Sequence, residues 1–267
     1  MLAFSSLLGN VEGQNIYRIW YDKPASYWEE ALPVGNGRIA AMVFGDPQLE
    51  QIQLNEETVS AGSPYQNYNE EAKTALPEMR RLIFEGKYEE AQNMAATKIL
   101  SQVGNEMPYQ TVGRLNIRYQ DHKKVNNYYR DLDISNAVAV TRYEVDGVEF
   151  TEETFASFTD QLVIRHIKAS KPGAINCELF FNTPMRDPKR SIYGKKGLRL
   201  EGITHGSRYF PGKVHYCADL DVKHKGGKVI TANDTLLSVQ GASELTLYIS
   251  MATNFVNYKD ISGDPYQ

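Results

Sequence analysis

The chain has 267 residues, of which 42% are hydrophobic and 23% charged, and its net charge is -4 at pH 7, which is typical of a folded globular protein. This charge, with no Lys/Arg run longer than two residues, argues against nucleic acid as a partner. No segment approaches the roughly 20 consecutive apolar residues of a membrane span, so we expect no membrane partner either.

The first residues differ in character from the rest of the chain. Residues 1–15 contain a short apolar run followed by small residues, which fits either the remnant of a signal peptide or a disordered extension. A signal peptide would direct the protein to the periplasm or the cell exterior. We expect residues 16–267 to form a single β-sandwich domain.

The first strong strand pattern lies near the N-terminus. Residues 39–44 alternate between two sets of side chains, and Gly45-Asp46-Pro47 interrupts the run before a second strand at residues 50–54. Glycine and proline at the interruption favour a turn. We therefore expect a β-hairpin here.

Residues from about 69 to 101 show a helical period instead. Apolar residues recur at the spacing of a helix face, namely at Ala72, Ala75, Leu76, Met79, Leu82 and Ile83. Gly86 is predicted to end this helix, and a second helix follows from Tyr88. We expect a short helical hairpin insert that packs against the sheets, with its apolar stripe in the core.

From Tyr109 onward the sequence predicts a series of short strands. Asp146-Gly147 between two alternating runs is a strong hairpin signal. Alternation marks further strands near residues 175–181, 214–223, 228–232, 236–240 and 245–251. Because no helices intervene, the pattern favours a mainly β fold of antiparallel sheets stacked as a sandwich.

The sequence contains no self-contained catalytic motif. It lacks HExxH, P-loop, GxSxG and GxGxxG patterns and any Cys/His cluster, so we nominate no catalytic residue, no metal site and no cofactor. The five histidines are scattered singly, as structural or surface histidines commonly are. Cys177 and Cys217 lie in different predicted strands, and whether they pair is left open because a disulfide depends on their separation in space.

Acidic pairs are frequent, and glycoside hydrolysis does use two carboxyl groups. Adjacent residues of a strand point to opposite faces, so at most one of each pair can reach a given site. We therefore expect these carboxylates to be solvated and none to form a catalytic pair. The pairs are Glu29-Glu30, Glu56-Glu57, Glu152-Glu153, and Asp131 with Asp133.

Two segments combine apolar anchors with Asn and Glu: WEEALPVGNG at residues 28–37 and QLNEETVSAG at residues 53–62. Gly35-Asn36-Gly37 can form a tight turn that presents Asn36, and Asn55 and Glu56 end a predicted strand where a loop begins. A purely structural turn is the alternative interpretation.

Longer stretches around these segments resemble the α-L-fucosidases of glycoside hydrolase family 95. The similar stretches, in the family's order, are WYDKPASYWEEALPVGNGRIAAMVFG (20–45), QLNEETVSAG (53–62), YQTVG (109–113), YYRDLDISNAVAVTRYEVDGVEFTEETFAS (128–157) and TNFVNYKDISGDP (253–265). One departure is visible, because the family usually carries Trp and then Ser-Gly shortly after the Asn-Glu pair, whereas this chain has Val59-Ser60-Ala61-Gly62. Any sugar or interdomain contact made by that Trp is therefore in doubt.

The resemblance implies a galactose-mutarotase-like antiparallel β-supersandwich that precedes a catalytic (α/α)6 barrel. In that family a barrel Glu is the general acid and a barrel Asp activates water, so the reaction inverts configuration. The barrel would lie beyond the last residue of this sequence, and none of its catalytic residues can be assigned here. The expected partners are that barrel and fucosylated or related glycans, with the choice between fucoside and galactoside open.

We expect five residues of the two unusual segments to lie at the face towards the barrel or its substrate. They are Glu30, Asn36, Arg38, Asn55 and Glu56. Two other functions stay open. A stand-alone carbohydrate-binding module would show an exposed platform of Tyr or Trp. A mutarotase-like enzyme would need a convergent acid and base in one cleft.

Overall fold

The computed structural model describes residues 17–101, 107–207 and 210–266. The predicted N-terminal extension, residues 1–15, lies outside the described residues. Within them, sixteen strands pair into two antiparallel sheets, which confirms the predicted mainly β sandwich. Neither helix of the described part is long or apolar enough to cross a membrane.

The larger sheet has nine strands in the order β1-β6-β7-β8-β9-β16-β13-β12-β11. Their bounds are β1 Arg18–Tyr21, β6 Val125–Asp133, β7 Val138–Val145, β8 Val148–Ser157, β9 Leu162–Ala169, β11 Arg186–Tyr193, β12 Gly197–Ile203, β13 His215–Lys225 and β16 Glu244–Thr253. The smaller sheet has seven strands in the order β14-β15-β10-β5-β4-β3-β2. Their bounds are β2 Leu32–Gly35, β3 Ile39–Val43, β4 Leu49–Glu56, β5 Gly113–Tyr119, β10 Ile175–Asn182, β14 Lys228–Asn233 and β15 Leu236–Ala242.

The strands follow from the alternation of their side chains. In β10 the apolar set Ile175, Cys177, Leu179 and Phe181 is buried between the sheets, while the residues between them are less buried. Each large aliphatic or aromatic side chain buried in this way contributes about 1.5–3 kcal/mol. The hydrophobic core therefore lies between the two sheets and draws on both.

Both predicted hairpins are confirmed. Strands β3 and β4 pair around the interruption at residues 44–48. Strands β7 and β8 are joined by Asp146 and Gly147, with φ angles of 50° and 71°. Two consecutive left-handed residues form the tight turn whose twist matches the flanking strands.

The helical insert consists of α1 (Ala72–Phe84), α2 (Tyr88–Met94) and a π-helical turn at Ala95–Ile99. Gly86, with a φ of 74°, makes the break between the helices. The helices pack chiefly on each other rather than on the sheets, contrary to the prediction. Only Ala75, Leu82 and Ala91 are buried in them, because two helices that pack on each other and not on a sheet cover little of one another's surface.

The two cysteines are buried and unpaired. Cys177 lies in β10 of the seven-stranded sheet and Cys217 in β13 of the nine-stranded sheet. The disulfide that the sequence left open is therefore not formed. Burial raises the pKa of both thiols, that of Cys217 to about 12, which keeps them protonated and unreactive at neutral pH.

Candidate functional site

One end of the sandwich gathers four of the five predicted site residues. The β2–β3 turn, the end of β4, the β8–β9 turn and the end of β16 meet there. Side-chain hydrogen bonds join the two sheets at this end, from Asn36 to the β8–β9 turn and between Thr58 and Thr253. We call this region the cleft end.

Asn36 holds this end together by using its whole side-chain amide. Its Oδ1 accepts hydrogen bonds from the backbone N–H groups of Arg38 (3.1 Å) and Ile39 (2.9 Å). Its Nδ2 donates to the Ser157 carbonyl (2.8 Å) and to Gln161 Oε1 (3.2 Å). Two accepted and two donated bonds match the usual capacity of an amide, so Asn36 acts structurally as a clip between the sheets.

Glu56 fixes the loop that follows β4. Its carboxylate is buried, and Oε2 accepts hydrogen bonds from the N–H (2.7 Å) and the hydroxyl (2.6 Å) of Thr58. Arg38 Nε lies 3.4 Å from Oε1, and its guanidinium is partly exposed. These contacts tie Glu56 to its own loop and to β3, which leaves little of the carboxylate to act on a ligand.

Asn55 is the predicted residue whose side chain keeps binding capacity. Its Oδ1 is buried and has no hydrogen-bond partner among the described residues. Beside it, the half-exposed Tyr109 donates its hydroxyl hydrogen to the Glu56 carbonyl at 3.0 Å. Partial desolvation raises the pKa of Tyr109, and a hydrogen bond with the Asn55 side chain opposes that rise. A buried acceptor of this kind favours a donor from a ligand or a partner.

Glu30 does not join the others. It lies at the opposite end of β2, as the last residue of the 3-10 turn Trp28–Glu30, and accepts a hydrogen bond from Ser26 N at 2.8 Å. That bond holds the pKa of Glu30 below its usual value. Sequence proximity to Asn36 was misleading, because an extended strand separates the two by its own length.

At this opposite end, buried Arg130 holds residues 21–30, which belong to the first stretch that resembles the fucosidase family. Its Nε donates to the Lys23 carbonyl (2.8 Å) and its Nη1 to the Glu30 carbonyl (2.7 Å). The guanidinium carbon also lies 4.1 Å from the centroid of the Tyr21 ring. The guanidinium of Arg130 thus holds residues 21–30 to strand β6.

An open cleft of about 630 Å³ occupies the cleft end. Its walls mix short polar side chains with aromatic and aliphatic ones from four loop segments: Glu57, Thr58, Ser60, Ala61, Ser63, Pro64, Tyr65, Asn67, Met107, Val214, Phe255, Tyr258 and Ile261. A second depression of about 630 Å³ shares Pro64, Tyr65 and Tyr258 with it. The two form one continuous concave surface.

This surface carries exposed aromatic rings. Tyr258 is 73% exposed and Tyr68 is 64% exposed, and Phe255 lies in the cleft wall between loops. Clustered apolar rings that remain in water commonly mark a binding surface. The cleft is therefore suited to bind a partly apolar partner.

The interior of the sandwich holds a charge cluster that the sequence interpretation missed. Glu50 Oε1 accepts hydrogen bonds from Phe44 N and Gly45 N, both at 3.1 Å, and Oε2 accepts one from Arg165 Nη2 at 3.1 Å. Arg165 also pairs with Glu152, and all three ionisable side chains are buried. Two carboxylates thus share one guanidinium.

Aromatic hydroxyls complete this cluster around Glu152. Tyr119 and Tyr143 donate to Glu152 Oε1 at 2.5 and 2.7 Å, and the ring of His122 stacks on Tyr119 with centroids 4.3 Å apart. Burial lowers the pKa of His122 and raises that of both tyrosines. The cluster is closed off by the core, which indicates a structural role.

The expected solvated positions of the acidic pairs are therefore wrong for Glu56, Glu152, Asp131 and Asp133, which are all buried. They are right for Glu29, Glu57 and Glu153, which are exposed. Asp131 is stabilised by Arg18, whose Nη1 lies 3.0 Å from Oδ2. The signal for burial was present in the sequence: Glu50 and Glu152 share the alternation phase of the apolar residues in their strands.

Among the described residues, no group of three or more His, Cys, Asp or Glu side chains could hold a metal ion. Of the two adjacent carboxylates at this end, Glu56 is bound by its own loop, whereas Glu57 is exposed and lines the cleft. The concave and partly aromatic surface supports binding at the cleft end.

Comparison with known proteins agrees with a sugar-processing context. Residues 19–258 match the family described as "Glycosyl hydrolase family 65, N-terminal domain". The chain belongs to this family. The match includes both sheets and the helical insert, so the family assignment covers the fold as a whole.

Curated relatives of this glycosyl hydrolase N-terminal domain are described as fucosidases. The chain is 31% identical to Alpha-L-fucosidase 2 of Arabidopsis thaliana, over 92% of this chain and 31% of that protein. It is 22% identical to Probable alpha-fucosidase A of Aspergillus oryzae, over 97% of this chain and 36% of that protein. For the protein of the same description in Aspergillus niger the identity is 26%, over 57% and 20% respectively. The chain thus spans between a fifth and about a third of the curated relatives it matches.

Proposed function

We propose that this chain is the N-terminal, non-catalytic domain of an α-L-fucosidase of glycoside hydrolase family 95. The complete enzyme would hydrolyse α-L-fucosyl linkages in glycans with catalytic groups in a C-terminal (α/α)6 barrel. The observation that carries this proposal is the 31% identity to Alpha-L-fucosidase 2 along 92% of the chain. Location in the periplasm or outside the cell is part of the proposal and rests on the apolar run in residues 1–15.

The cleft end is the surface that would pack against the barrel. Its exposed Tyr258 and Tyr68 lie beside a continuous concave surface, a combination that favours a large partner over solvent. The buried acceptor on Asn55, in the strand that leads to Glu57 and Thr58 of the cleft wall, is available for a hydrogen bond from that partner. The relatives are about three times as long as this chain or longer, which supplies a candidate partner within the same polypeptide.

The predicted residues act in this proposal by shaping the docking surface rather than by touching the scissile bond. Asn36 clips the two sheets together, and Glu56 with Arg38 holds the loop that begins the cleft wall. Asn55→Ala in the complete enzyme should lower activity while leaving the isolated domain stable. If the kinetics of the Asn55→Ala enzyme are unchanged, Asn55 is not part of the interface with the barrel.

Hydrolysis assays test the non-catalytic role. The purified chain and a version extended through the C-terminal catalytic region are compared on an aryl α-L-fucoside, an aryl α-L-galactoside and a 2'-fucosyl oligosaccharide. We expect activity only in the extended protein, with the fucosides preferred. Hydrolysis by the short chain would contradict a non-catalytic role.

Thermal unfolding tests the docking surface. The double variant Tyr68→Ser with Tyr258→Ser should lower the melting temperature of the extended protein, because it removes contacts with the barrel, and leave that of the short chain unchanged. Tyr27→Ser is the matched control, because Tyr27 is also an exposed tyrosine but lies at the opposite end of the sandwich. Equal melting behaviour of the double variant and the control in the extended protein would refute docking at the cleft end.

A further inference from the structure

Five adjacent strands of the nine-stranded sheet align one row of residues on its outer face. Strand pairing places them side by side in the order Tyr193, Gly197, Asp221, Tyr248 and Ile164. The strand neighbours of Gly197, Asp221 and Tyr248 are buried in the core, so the row faces away from it; these neighbours are Leu198, Leu220, Val222, Leu247 and Ile249. A groove of about 490 Å³ lies along this row.

The two tyrosines form the walls of the groove. Tyr193 and Tyr248 lie on strands separated by three spacings, which puts their Cα atoms about 14 Å apart. The Tyr193 ring leans over Gly197, where an added Cβ would lie 3.3 Å from its Cδ1, and the short side chain of Asp221 lines the floor of the groove between the two rings.

The Tyr193 wall is held by a neighbouring arginine. The guanidinium carbon of Arg199 lies 4.5 Å from the centroid of the Tyr193 ring and 5.2 Å from that of Tyr266. Arg199 also donates two hydrogen bonds to Asp219, at 2.7 and 2.6 Å. A planar cation fixed by a bidentate carboxylate restrains the ring stacked on it, so this wall is pre-organised.

The other wall and the floor supply polar groups. Lys223 Nζ lies 4.9 Å from the centroid of the Tyr248 ring and restrains it by a cation-π contact. The Asp221 carboxylate is exposed and has no hydrogen-bond or ion-pair partner among the described residues. The Ser250 hydroxyl and Asp219 line the same groove.

We propose that this groove binds a short neutral oligosaccharide. Tyrosine rings can stack on the C–H faces of sugar rings, and a free carboxylate accepts hydrogen bonds from sugar hydroxyls. Aspartates outnumber lysines in the lining, which disfavours phosphate-bearing ligands. The inference goes beyond the proposed function, because binding here needs neither the cleft end nor a catalytic barrel.

Isothermal titration calorimetry of the whole chain tests this proposal with four probes: 2'-fucosyllactose, cellotetraose, maltotetraose and xylotetraose. We expect at least one probe to bind with a millimolar or lower Kd. Tyr193→Ala and Tyr248→Ala should each weaken that binding about tenfold, the typical consequence of removing a stacking anchor. Asp221→Asn, which keeps the size of the side chain, should weaken it several-fold.

Two control variants match these changes in chemistry but lie outside the groove. Tyr88→Ala removes an exposed tyrosine of the helical insert, and Asp234→Asn changes an exposed turn carboxylate. Both should bind the probe like the unmodified chain. The proposal is overturned if none of the four probes binds, or if the groove variants bind as tightly as the controls. Either result leaves the hydrolysis test of the proposed function untouched.

Discussion

Replacing Glu50 with glutamine should change how the stability of the sandwich depends on pH. Burial is the main reason that the pKa of Glu50 rises from 4.5 to about 7, since the ionised form loses its hydration inside the core. Arg165 opposes this rise, whereas the nearby carboxylates of Glu152 and Asp46 add to it. The Arg165 guanidinium is shared by two carboxylates, so it compensates each of them only in part.

The magnitude follows from the difference between the folded and unfolded pKa. One pKa unit corresponds to about 1.4 kcal/mol, so a shift from 4.5 to about 7 amounts to about 3 kcal/mol. Because the folded state binds the proton more tightly, this contribution is fully present below pH 4.5 and is lost as the pH rises to about 7. Glutamine does not titrate, so the stability of the variant should not fall in this way as the pH rises.

Urea unfolding at about pH 5 and about pH 8 measures the effect. Between these values, the free energy of unfolding of the variant should gain about 2.5 kcal/mol relative to the unmodified chain, because part of the contribution is already lost at pH 5. His122 contributes with the opposite sign, because its lowered pKa costs stability as the pH falls below 6.5, and it cancels in the comparison. Glu153→Gln, at an exposed position of β8, should show no such gain. A pH-independent difference between the Glu50 variant and the unmodified chain would refute the argument.

Three further substitutions test the contacts that hold the fold. Arg165→Met leaves two buried carboxylates without their cation and should cost about 3–5 kcal/mol in urea unfolding. Gly113→Ala should cost about 1–3 kcal/mol, since φ is 143° there and a Cβ would lie 2.5 Å from the Asn182 carbonyl oxygen. Asn36→Ala should cost about 2 kcal/mol through the buried groups it leaves unpaired, whereas Asn126→Ala, at an exposed position, should change stability little.

Local patterns predicted the strands well because the relevant information lies within a few residues. The alternation in β10 and the Asp146-Gly147 turn are read directly from side-chain order. The strand order is different, since β16 pairs between β9 and β13 although long segments separate them in sequence. Such pairing depends on which faces fit across the whole core, and no local pattern encodes it. The same holds for the helical hairpin, whose period was correct but whose packing partner was not.

In the candidate site too, the positions of the residues were predictable from the sequence but their hydrogen-bond partners were not. The position of Asn36 in a glycine turn was predictable, but its bonds to Ser157 and Gln161 come from a turn about 120 residues away. Likewise, the alternation phase of Glu50 could have revealed its burial, yet only the fold brings Arg165 to it. Whether a polar side chain is buried can thus be read from its local sequence, whereas the partner that offsets the cost of burying it is set by the fold of the whole sheet. Functional assignments that rest on residue type alone will therefore mistake structural residues such as Asn36 for residues that contact a ligand. A better criterion is whether a side chain still has an unused hydrogen-bond donor or acceptor after folding. By that criterion, Asn55 and Asp221 are the residues to test first.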